Sequence, residues 1–288
     1  MTAHGHNGHD SGTASAKHFD VKVLRQDGPG KPSYWERHRV VYESDMNVIS
    51  VLQQVAATAE TADGTPVAPV AWDCNCLEEV CGACTMVING RVRQACSALV
   101  DRLLETNASE IELRPMEKFP VLRDLMVDRG RLFQALTKVT AWIPVDGYHD
   151  MGPGPRQSAA EQARAYPLSE CMSCGCCVDA CPQYAKVELT QNDGETAEQF
   201  AARQHAAYDQ SFIGPHAISQ AMLMNSNPTG QFSAGKRLDE LTAEGGLQKC
   251  GNAQNCVAVC PKKIPLTTSI ARANRAATLH TIKKLFDA

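Results

Sequence analysis

Two runs of cysteine in the second half of the chain constrain its fold more than any other feature. The first run places Cys171, Cys174, Cys177 and Cys181 at the spacing C-x2-C-x2-C-x3-C, and Pro182 follows it. Thiolate sulfur is the ligand that iron–sulfur clusters require, and this spacing is one that binds them. In chains with two such runs, the fourth cysteine of each run binds the cluster of the other run.

The second run lacks one of these four cysteines. Cys250, Cys256 and Cys260 match the first, third and fourth positions of the first run, and Pro261 follows them. Ala253 stands at the second position, and its methyl group cannot bind iron. The two clusters must therefore have unequal sets of ligands.

With the fourth cysteines exchanged, the thiolates divide into a group of four and a group of three. The group of four predicts a [4Fe–4S] cluster and consists of Cys171, Cys174, Cys177 and Cys260. The group of three predicts a [3Fe–4S] cluster, which lacks one iron, and consists of Cys181, Cys250 and Cys256.

A further group of cysteines lies in the first half of the chain, at the spacing C-x4-C-x2-C-x11-C. Its members are Cys76, Cys81, Cys84 and Cys96. The first three match the plant-type [2Fe–2S] spacing, whereas zinc sites usually pair two short units that this loop lacks. Gly82 would let the backbone come close to the metal. This group therefore predicts a [2Fe–2S] cluster.

Two cysteines lie out of phase with these groups. Cys74 precedes the first group, and Cys176 is adjacent to Cys177. Because small buried cysteines are common in proteins, we expect both to be buried structural residues rather than iron ligands.

Length and composition exclude several classes of protein. A chain of 288 residues predicts two domains, and its formal net charge of -4 argues against general nucleic-acid binding. No apolar run is long enough to span a bilayer. Thirteen cysteines without an apolar signal segment indicate metal binding in a reducing compartment rather than disulfides. Residues 1–18 are predicted to form a disordered tail. Its histidines are His4, His6, His9 and His18, and a disordered tail does not hold their imidazole rings in a fixed geometry for binding a metal.

The first half of the chain has the pattern of a small sheet with one helix. Five strands are predicted, at Phe19–Leu24, His38–Tyr42, Thr85–Ile88, Arg91–Gln94 and Ile111–Leu113. Asn89-Gly90 is a strong hairpin signal and would bring Cys96 back beside the cysteine loop. Asp45 is predicted to cap a helix, whose inward residues are Val48, Ile49, Leu52 and Val55.

Beyond a linker at Pro115–Pro120 the pattern becomes helical. Apolar residues recur every three or four positions from Leu122 to Leu136, and Gly130 is predicted to kink or break this helix. Pro215 is predicted to open a helix over His216–Met224. A last helix is predicted at Thr267–Phe286, with the inward residues Leu279, Ile282 and Phe286.

On these motifs the chain resembles the iron–sulfur subunits of succinate:quinone oxidoreductase, also called succinate dehydrogenase, and of quinol:fumarate reductase. The resemblance covers residues 19–286 and is carried by the segments CLEEVCGACTMVINGRVRQAC, FPVLRDLMVDR, CMSCGCCVDACP, FIGP and CGNAQNCVAVCPK. The CLEEVCGAC segment is most similar to bacterial, menaquinone-linked members.

The resemblance implies an α+β architecture with two domains. Residues 19–120 would form a β-grasp domain of the plant-type [2Fe–2S] ferredoxin kind. Residues 121–288 would form an all-α domain similar to bacterial ferredoxins, with the [4Fe–4S] and [3Fe–4S] clusters. The resemblance assigns the cysteines to the three clusters as their spacing does, with Cys84 where some members have Asp.

The resemblance also implies a role and partners. A flavoprotein subunit with FAD would oxidise succinate, and the clusters of this chain would pass the electrons on singly. Membrane-anchor subunits with haem would complete the path to a quinone. This chain has no dinucleotide fingerprint, so no substrate-oxidising site is expected on it. It would lie peripherally on the cytoplasmic face of the bacterial inner membrane.

Departures from the family pattern bear on the quinone. Members that use ubiquinone carry a Trp and a His where this chain has Lys186 and Gly251. Pro182 matches the pattern and is the predicted quinone contact. The departures favour a different quinone, with menaquinone expected, or a different site.

Three alternatives stay open from the sequence alone. The same complex run in reverse would reduce fumarate, and the potential of the quinone largely decides the direction. A free soluble ferredoxin is the second alternative, against which the length and the two fused cluster modules stand. A structural zinc protein is the third.

Overall fold

Residues 17–106, 110–143 and 156–287 are described by a computed structural model of the chain. Most of the predicted tail, with His4, His6 and His9, lies outside the described residues. His18 does not belong to a tail, because it is the first residue of a strand and pairs with Val41 of the neighbouring strand.

The first half of the chain forms a mixed sheet. Its strands are β1 (His18–Gln26), β2 (Ser33–Val41), β3 (Thr85–Ile88), β4 (Arg91–Gln94) and β5 (Glu110–Arg114). Their order is β2-β1-β5-β3-β4, in which β1 and β5 are parallel and the other pairs antiparallel. The five predicted strands and the hairpin at Asn89-Gly90 are confirmed, and β5 joins this hairpin to the β1–β2 hairpin in one sheet.

Two helices, α1 (Val48–Thr58) and α2 (Val100–Thr106), pack against this sheet. The predicted inward residues of α1 are confirmed as buried, and they are Val48, Ile49, Leu52 and Val55. Their spacing of three or four residues places them on one face of the helix, which covers the apolar side of the sheet.

The predicted cap of α1 is wrong. Asn47 precedes the helix, and its Oδ1 accepts a hydrogen bond from the backbone N–H of Ser50 at 3.0 Å. Its Nδ2 donates to the carbonyl oxygen of Cys96 at 3.0 Å. Asp45 lies in the preceding turn with a φ of 61°. Asn47 therefore both caps the helix and holds the turn that contains Cys96.

The β3–β4 hairpin is covered on both faces. Met86 and Ile88 belong to the core under α1, whereas Val87 and Val92 pack among the helices of the second half. A strand with one solvated face alternates buried and exposed residues, but every residue of β3 is buried. This hairpin therefore packs against both halves of the chain.

The helix predicted to begin at Leu122 is wrong over its first residues. These residues form a short hairpin of β6 (Val121–Arg123) and β7 (Met126–Val127). The helix, α3 (Gly130–Lys138), begins at the glycine that was predicted to kink or break it.

A buried ion pair accounts for this hairpin. Asp124 turns the chain with a φ of 47°, and its Oδ1 accepts a hydrogen bond from Arg25 Nε at 2.9 Å. Arg25 also donates to Glu36, and the backbone N–H of Ala71 donates to Asp124 Oδ2 at 2.8 Å. Removing one partner of such a buried pair is strongly destabilising, so the hairpin is held against β1. The partners are 99 residues apart, which no local periodicity reveals.

From Gly130 to Phe286, the described residues contain helices and short turns but no strand. After α3 the helices are α4 (Ala159–Ser169), α5 (Cys176–Asp179), α6 (Ala197–Gln210), α7 (Pro215–Ser226), α8 (Ala234–Thr242), α9 (Asn255–Ala258) and α10 (Leu266–Phe286). The helix opened by Pro215 is confirmed. In the predicted linker, Met116 and Phe119 are buried in the core of these helices, so this segment is packed.

The last helix is confirmed, but its predicted inward face is wrong. Three apolar residues of this helix were predicted to face inward, but they are exposed: Leu279 by 58%, Ile282 by 44% and Phe286 by 85%. The buried residues of α10 include Ala273 and Ala277, one turn apart. None of the described helices has the length and apolarity needed to cross a bilayer.

The polar contacts of α10 lie on the same side of the helix as its buried residues. His280 Nε2 and Lys284 Nζ each lie 2.9 Å from Oδ1 of Asp239 on α8. These residues continue the line of Ala273 and Ala277 along the helix, so the apolar residues beside them turn outward.

We predict that Asn47→Ala destabilises the chain by about 1 kcal/mol, because α1 loses its cap. Asp45→Gly is the control, since glycine adopts positive φ without strain and the side chain of Asp45 does not cap the helix. Thermal unfolding of the cluster-loaded protein measures both. A larger loss for Asp45→Gly than for Asn47→Ala would contradict this assignment of the cap.

Candidate iron–sulfur cluster sites

The cysteines of the first half lie on two adjacent segments. Cys76, Cys81 and Cys84 lie on the loop that leads into β3, and Cys96 lies in the turn after β4. The backbone N–H of Ala95 donates to the carbonyl of Cys84 at 3.1 Å, which ties the turn to the loop. The β3–β4 hairpin thus returns Cys96 to the other three cysteines.

Backbone N–H groups surround the sulfur of Cys76. Its Sγ lies 3.4 Å from the donor nitrogens of Glu78 and Val80 and 3.3 Å from that of Cys81. These hydrogen bonds lower the pKa of the Cys76 thiol to about 6, so the thiolate is favoured at neutral pH. Because iron binds the thiolate, the loop is suited to hold a metal cluster.

The predicted group of four thiols lines one cavity among the helices. Its members are Cys171, Cys174, Cys177 and Cys260. Burial raises the pKa of Cys177 well above its usual value, and the charges of the other three thiols raise it further. The cavity encloses about 380 Å³, open solvent included. Buried thiols this close together cannot all ionise unless a cation compensates their charge, which fits bound iron.

A buried imidazole borders this cavity. The ring nitrogen Nε2 of His216 lies 3.1 Å from the carbonyl oxygen of Leu132, while Nδ1 has no hydrogen-bond partner. Burial lowers the pKa of His216 to about 4, so the ring is neutral at neutral pH and Nε2 donates to the carbonyl. Sequence reasoning did not identify this residue, because no spacing rule connects it to the cysteines.

The predicted group of three thiols lines a second cavity, of about 350 Å³ with open solvent included. Cys181, Cys250 and Cys256 line it together with Ala253 and Pro182. Burial raises the pKa of Cys256, and the charges of the other two thiols raise it further. The structure thus brings Ala253 beside the three thiols that its position in the second run predicted.

The two out-of-phase cysteines differ from each other. Cys176 is buried as expected, and its Sγ accepts a hydrogen bond from Gln94 Nε2 at 3.2 Å. Cys74 is exposed, so the expectation of burial is wrong for it.

Among residues 17–106, 110–143 and 156–287, no three His, Cys, Asp or Glu side chains could hold a single metal ion.

The three groups of thiols follow one another through the molecule. A Cβ added to Gly82 would lie 2.7 Å from Cα of Cys174, so the loop of the first group touches the second group. Cys177 of the second group lies on α5, and Cys181 of the third group closely follows this helix, with its backbone N–H donating to the carbonyl of Val178 at 3.1 Å. The group of four therefore adjoins both of the others.

Two family profiles match the two halves of the chain. The "2Fe-2S iron-sulfur cluster binding domain" matches residues 20–134, and the "4Fe-4S dicluster domain" matches residues 167–264. The succinate dehydrogenase iron–sulfur subunit of Bacillus subtilis (strain 168) is 45% identical over 264 residues, which are 92% of this chain and 94% of that protein. The chain belongs to the family of succinate dehydrogenase iron–sulfur subunits. The resemblance seen in its sequence motifs is confirmed.

More distant relatives cover the chain almost as fully. A fumarate reductase iron–sulfur subunit of Mycobacterium tuberculosis (strain CDC 1551 / Oshkosh) is 29% identical over 240 residues, 82% of this chain and 84% of that one. A chain of the "Mycobacterium smegmatis Sdh1 complex in the apo form" aligns with a TM-score of 0.66 at 19% identity, covering 91% of this chain and 96% of that one. The latter comparison shows a shared fold.

Cys76→Ala is predicted to remove about two iron atoms per chain and the EPR signal of a reduced [2Fe–2S] cluster. Cys74→Ala is the matched control, because Cys74 is exposed and lies outside the four-thiol pattern. Both variants would be compared with the unmodified complex by iron analysis and EPR. Loss of the signal in Cys74→Ala, with its retention in Cys76→Ala, would overturn the choice of ligand.

Proposed function

We propose that this chain carries electrons, one at a time, from a flavoprotein subunit that oxidises succinate to a quinone at the membrane. The observation that most strongly supports this is the adjacency of three thiol groups, of which the second adjoins both of the others. Iron–sulfur clusters, when bound, accept and release single electrons, whereas succinate oxidation is a two-electron reaction. A chain with three such groups can therefore pass on the two electrons of succinate oxidation one at a time.

The proposed ligands follow the cavities and loops described above. The [2Fe–2S] cluster would be held by Cys76, Cys81, Cys84 and Cys96. The [4Fe–4S] cluster would be held by Cys171, Cys174, Cys177 and Cys260. The [3Fe–4S] cluster would be held by Cys181, Cys250 and Cys256, and the methyl group of Ala253 in the cavity wall supports this smaller cluster.

The residues around these ligands would set the electron affinity of each site. The N–H groups that donate to Cys76 favour added negative charge, because their dipoles point at the sulfur. Burial raises the pKa of Cys177 in the second group and of Cys256 in the third, so extra negative charge is less favourable at these sulfurs. Differences of this kind would grade the potentials along the path.

We also propose that the chain folds into two domains. A β-grasp domain over residues 19–120 would hold the [2Fe–2S] cluster, and an all-α domain over residues 121–288, similar to bacterial ferredoxins, would hold the other two. The β6–β7 hairpin packs on β1, so we infer that the helical part proper begins near Gly130.

The proposed partners follow from the two ends of the path. The sheet domain would dock on the FAD-containing flavoprotein, and the helical domain would dock on membrane-anchor subunits with haem. Pro182 borders the cavity of the third group, which supports it as a quinone contact. We propose menaquinone as the quinone, and a peripheral position on the cytoplasmic face of the bacterial inner membrane.

Fumarate reduction is a second candidate function. The relative from Mycobacterium tuberculosis is a fumarate reductase iron–sulfur subunit and aligns over 82% of this chain. The same residues would carry electrons in the opposite direction. Comparing the rates of succinate oxidation and fumarate reduction in the purified complex, with menaquinone and menaquinol analogues, decides between the two directions.

The central test is EPR spectroscopy of the complex purified with its partner subunits. We expect a [3Fe–4S] signal in the oxidised state, and [2Fe–2S] and [4Fe–4S] signals after reduction, because the thiols are shared out as four, four and three. Absence of the oxidised-state signal from intact complex would contradict the three-thiolate assignment. Iron and sulfide contents that fit only two clusters would contradict it as well.

Ala253→Cys would place a fourth thiol in the wall of the third cavity. We expect this variant to favour a [4Fe–4S] cluster there, to lose the oxidised-state [3Fe–4S] signal and to reduce quinone more slowly. Ala253→Ser is the matched control, since it has a similar volume but no thiol. Unchanged spectra and turnover in Ala253→Cys would show that Ala253 does not occupy the ligand position.

A further inference from the structure

Arg129 joins the loop of the first thiol group to the rest of the molecule. It follows the β6–β7 hairpin, and its guanidinium donates two hydrogen bonds, one to the carbonyl oxygen of Gly82 and one to that of Ala83. These carbonyls lie between Cys81 and Cys84, two of the proposed [2Fe–2S] ligands. A planar guanidinium that binds two successive carbonyls fixes the orientation of the loop as well as its distance.

The same guanidinium lies beside the second thiol group. The carbonyl that it binds on Gly82 belongs to the residue that touches Cys174, since a Cβ at Gly82 would lie 2.7 Å from Cα of Cys174. Burial lowers the pKa of Arg129, and the charges of Asp73, Cys174 and Cys84 oppose this effect. Arg129 thus lies next to a point where the two cluster-binding loops meet.

The backbone on each side of Arg129 is held in place. The hairpin before it is fixed to the sheet by the buried pair of Arg25 and Asp124. In the helix after it, Leu132 packs in the core of the helical half and lies 3.6 Å from the Cβ position of Gly175. The side chain therefore extends from a rigid support, which a positioning role requires.

We propose that Arg129 is a positioning residue that holds the [2Fe–2S] loop against the [4Fe–4S] loop and supplies a positive charge shared by both clusters. The inference rests on the proposed function, because it needs a cluster on each side of the contact. A nearby positive charge stabilises the reduced, more negative state of a cluster, so this residue raises both reduction potentials. Spacing rules did not reveal it, although it ends the segment FPVLRDLMVDR.

The test uses the complete complex with Arg129→Met, Arg129→Gln and Arg129→Lys. The first two remove the charge, whereas the third keeps the charge but loses the two-pronged hydrogen bond. Arg123→Met is the matched control, because it causes the same change in net charge on the hairpin that precedes Arg129, from a side chain that is 51% exposed. Redox titration followed by EPR gives the potential of each cluster. The reduced [4Fe–4S] cluster speeds the electron-spin relaxation of the [2Fe–2S] cluster, and the size of this enhancement reports how closely the two clusters are held.

We expect both neutral variants to lower the [2Fe–2S] and [4Fe–4S] potentials together, and all three Arg129 variants to weaken the relaxation enhancement. Arg123→Met should change neither. Potentials and relaxation equal to those of the control would overturn the inference, as would destabilisation without any change in either quantity. If neither neutral variant retains its clusters, Arg129→Lys decides, and an unchanged relaxation enhancement in that variant overturns it.

Failure of the proposed function is distinguishable from failure of this inference. The unmodified complex serves as the reference for both. If it shows no interacting [2Fe–2S] and [4Fe–4S] signals, the proposed function itself fails. If it shows both signals and the Arg129 variants match the control, only the role of Arg129 is rejected.

Discussion

The close approach of Gly82 to Cys174 is the contact on which the arrangement of this chain depends. Gly82 has a φ of 72°, and a Cβ at this position would lie 2.7 Å from the backbone of the opposing loop. Only glycine satisfies both conditions without a shift of one loop. Through this contact, two groups of thiols that are distant in sequence become neighbours, and the sheet half and the helical half share one functional centre.

The surroundings of the contact make it rigid. Gln94 reaches from β4 to the sulfur of Cys176, and Arg129 reaches from the end of the β6–β7 hairpin to the carbonyls beside Gly82. Strand β3 is buried on both faces, and Met116 and Phe119 are packed into the helical core. The junction therefore has the character of a protein interior, which excludes water and keeps polar contacts strong. A flexible linker would not keep two electron-carrying sites at a constant separation.

Sequence reasoning succeeded where the signal is local. The Asn89-Gly90 turn, the helix opened by Pro215 and the apolar face of α1 all depend on neighbours a few residues away, and all are confirmed. It failed where distant residues decide. The hairpin around Asp124 replaces a predicted helix because Arg25 binds that carboxylate, and α10 packs against α7 and α8 through Ala273 and Ala277 rather than through its larger apolar residues. Periodicity detects an apolar stripe, but it cannot identify the surface that the stripe meets.

By itself, the sequence determined the three groups of cysteines and the family to which their motifs assign the chain, and it predicted the division of the thiolates into four, four and three. Thiolate spacing within each run is a local property that the sequence displays directly, and the rule of exchanged fourth cysteines extends it from one run to the other. The tertiary structure alone decided the order of the groups in space, the Gly82–Cys174 contact and the place of Arg129 beside it. These features depend on how the sheet half and the helical half pack together. That packing is made by contacts between residues far apart along the chain.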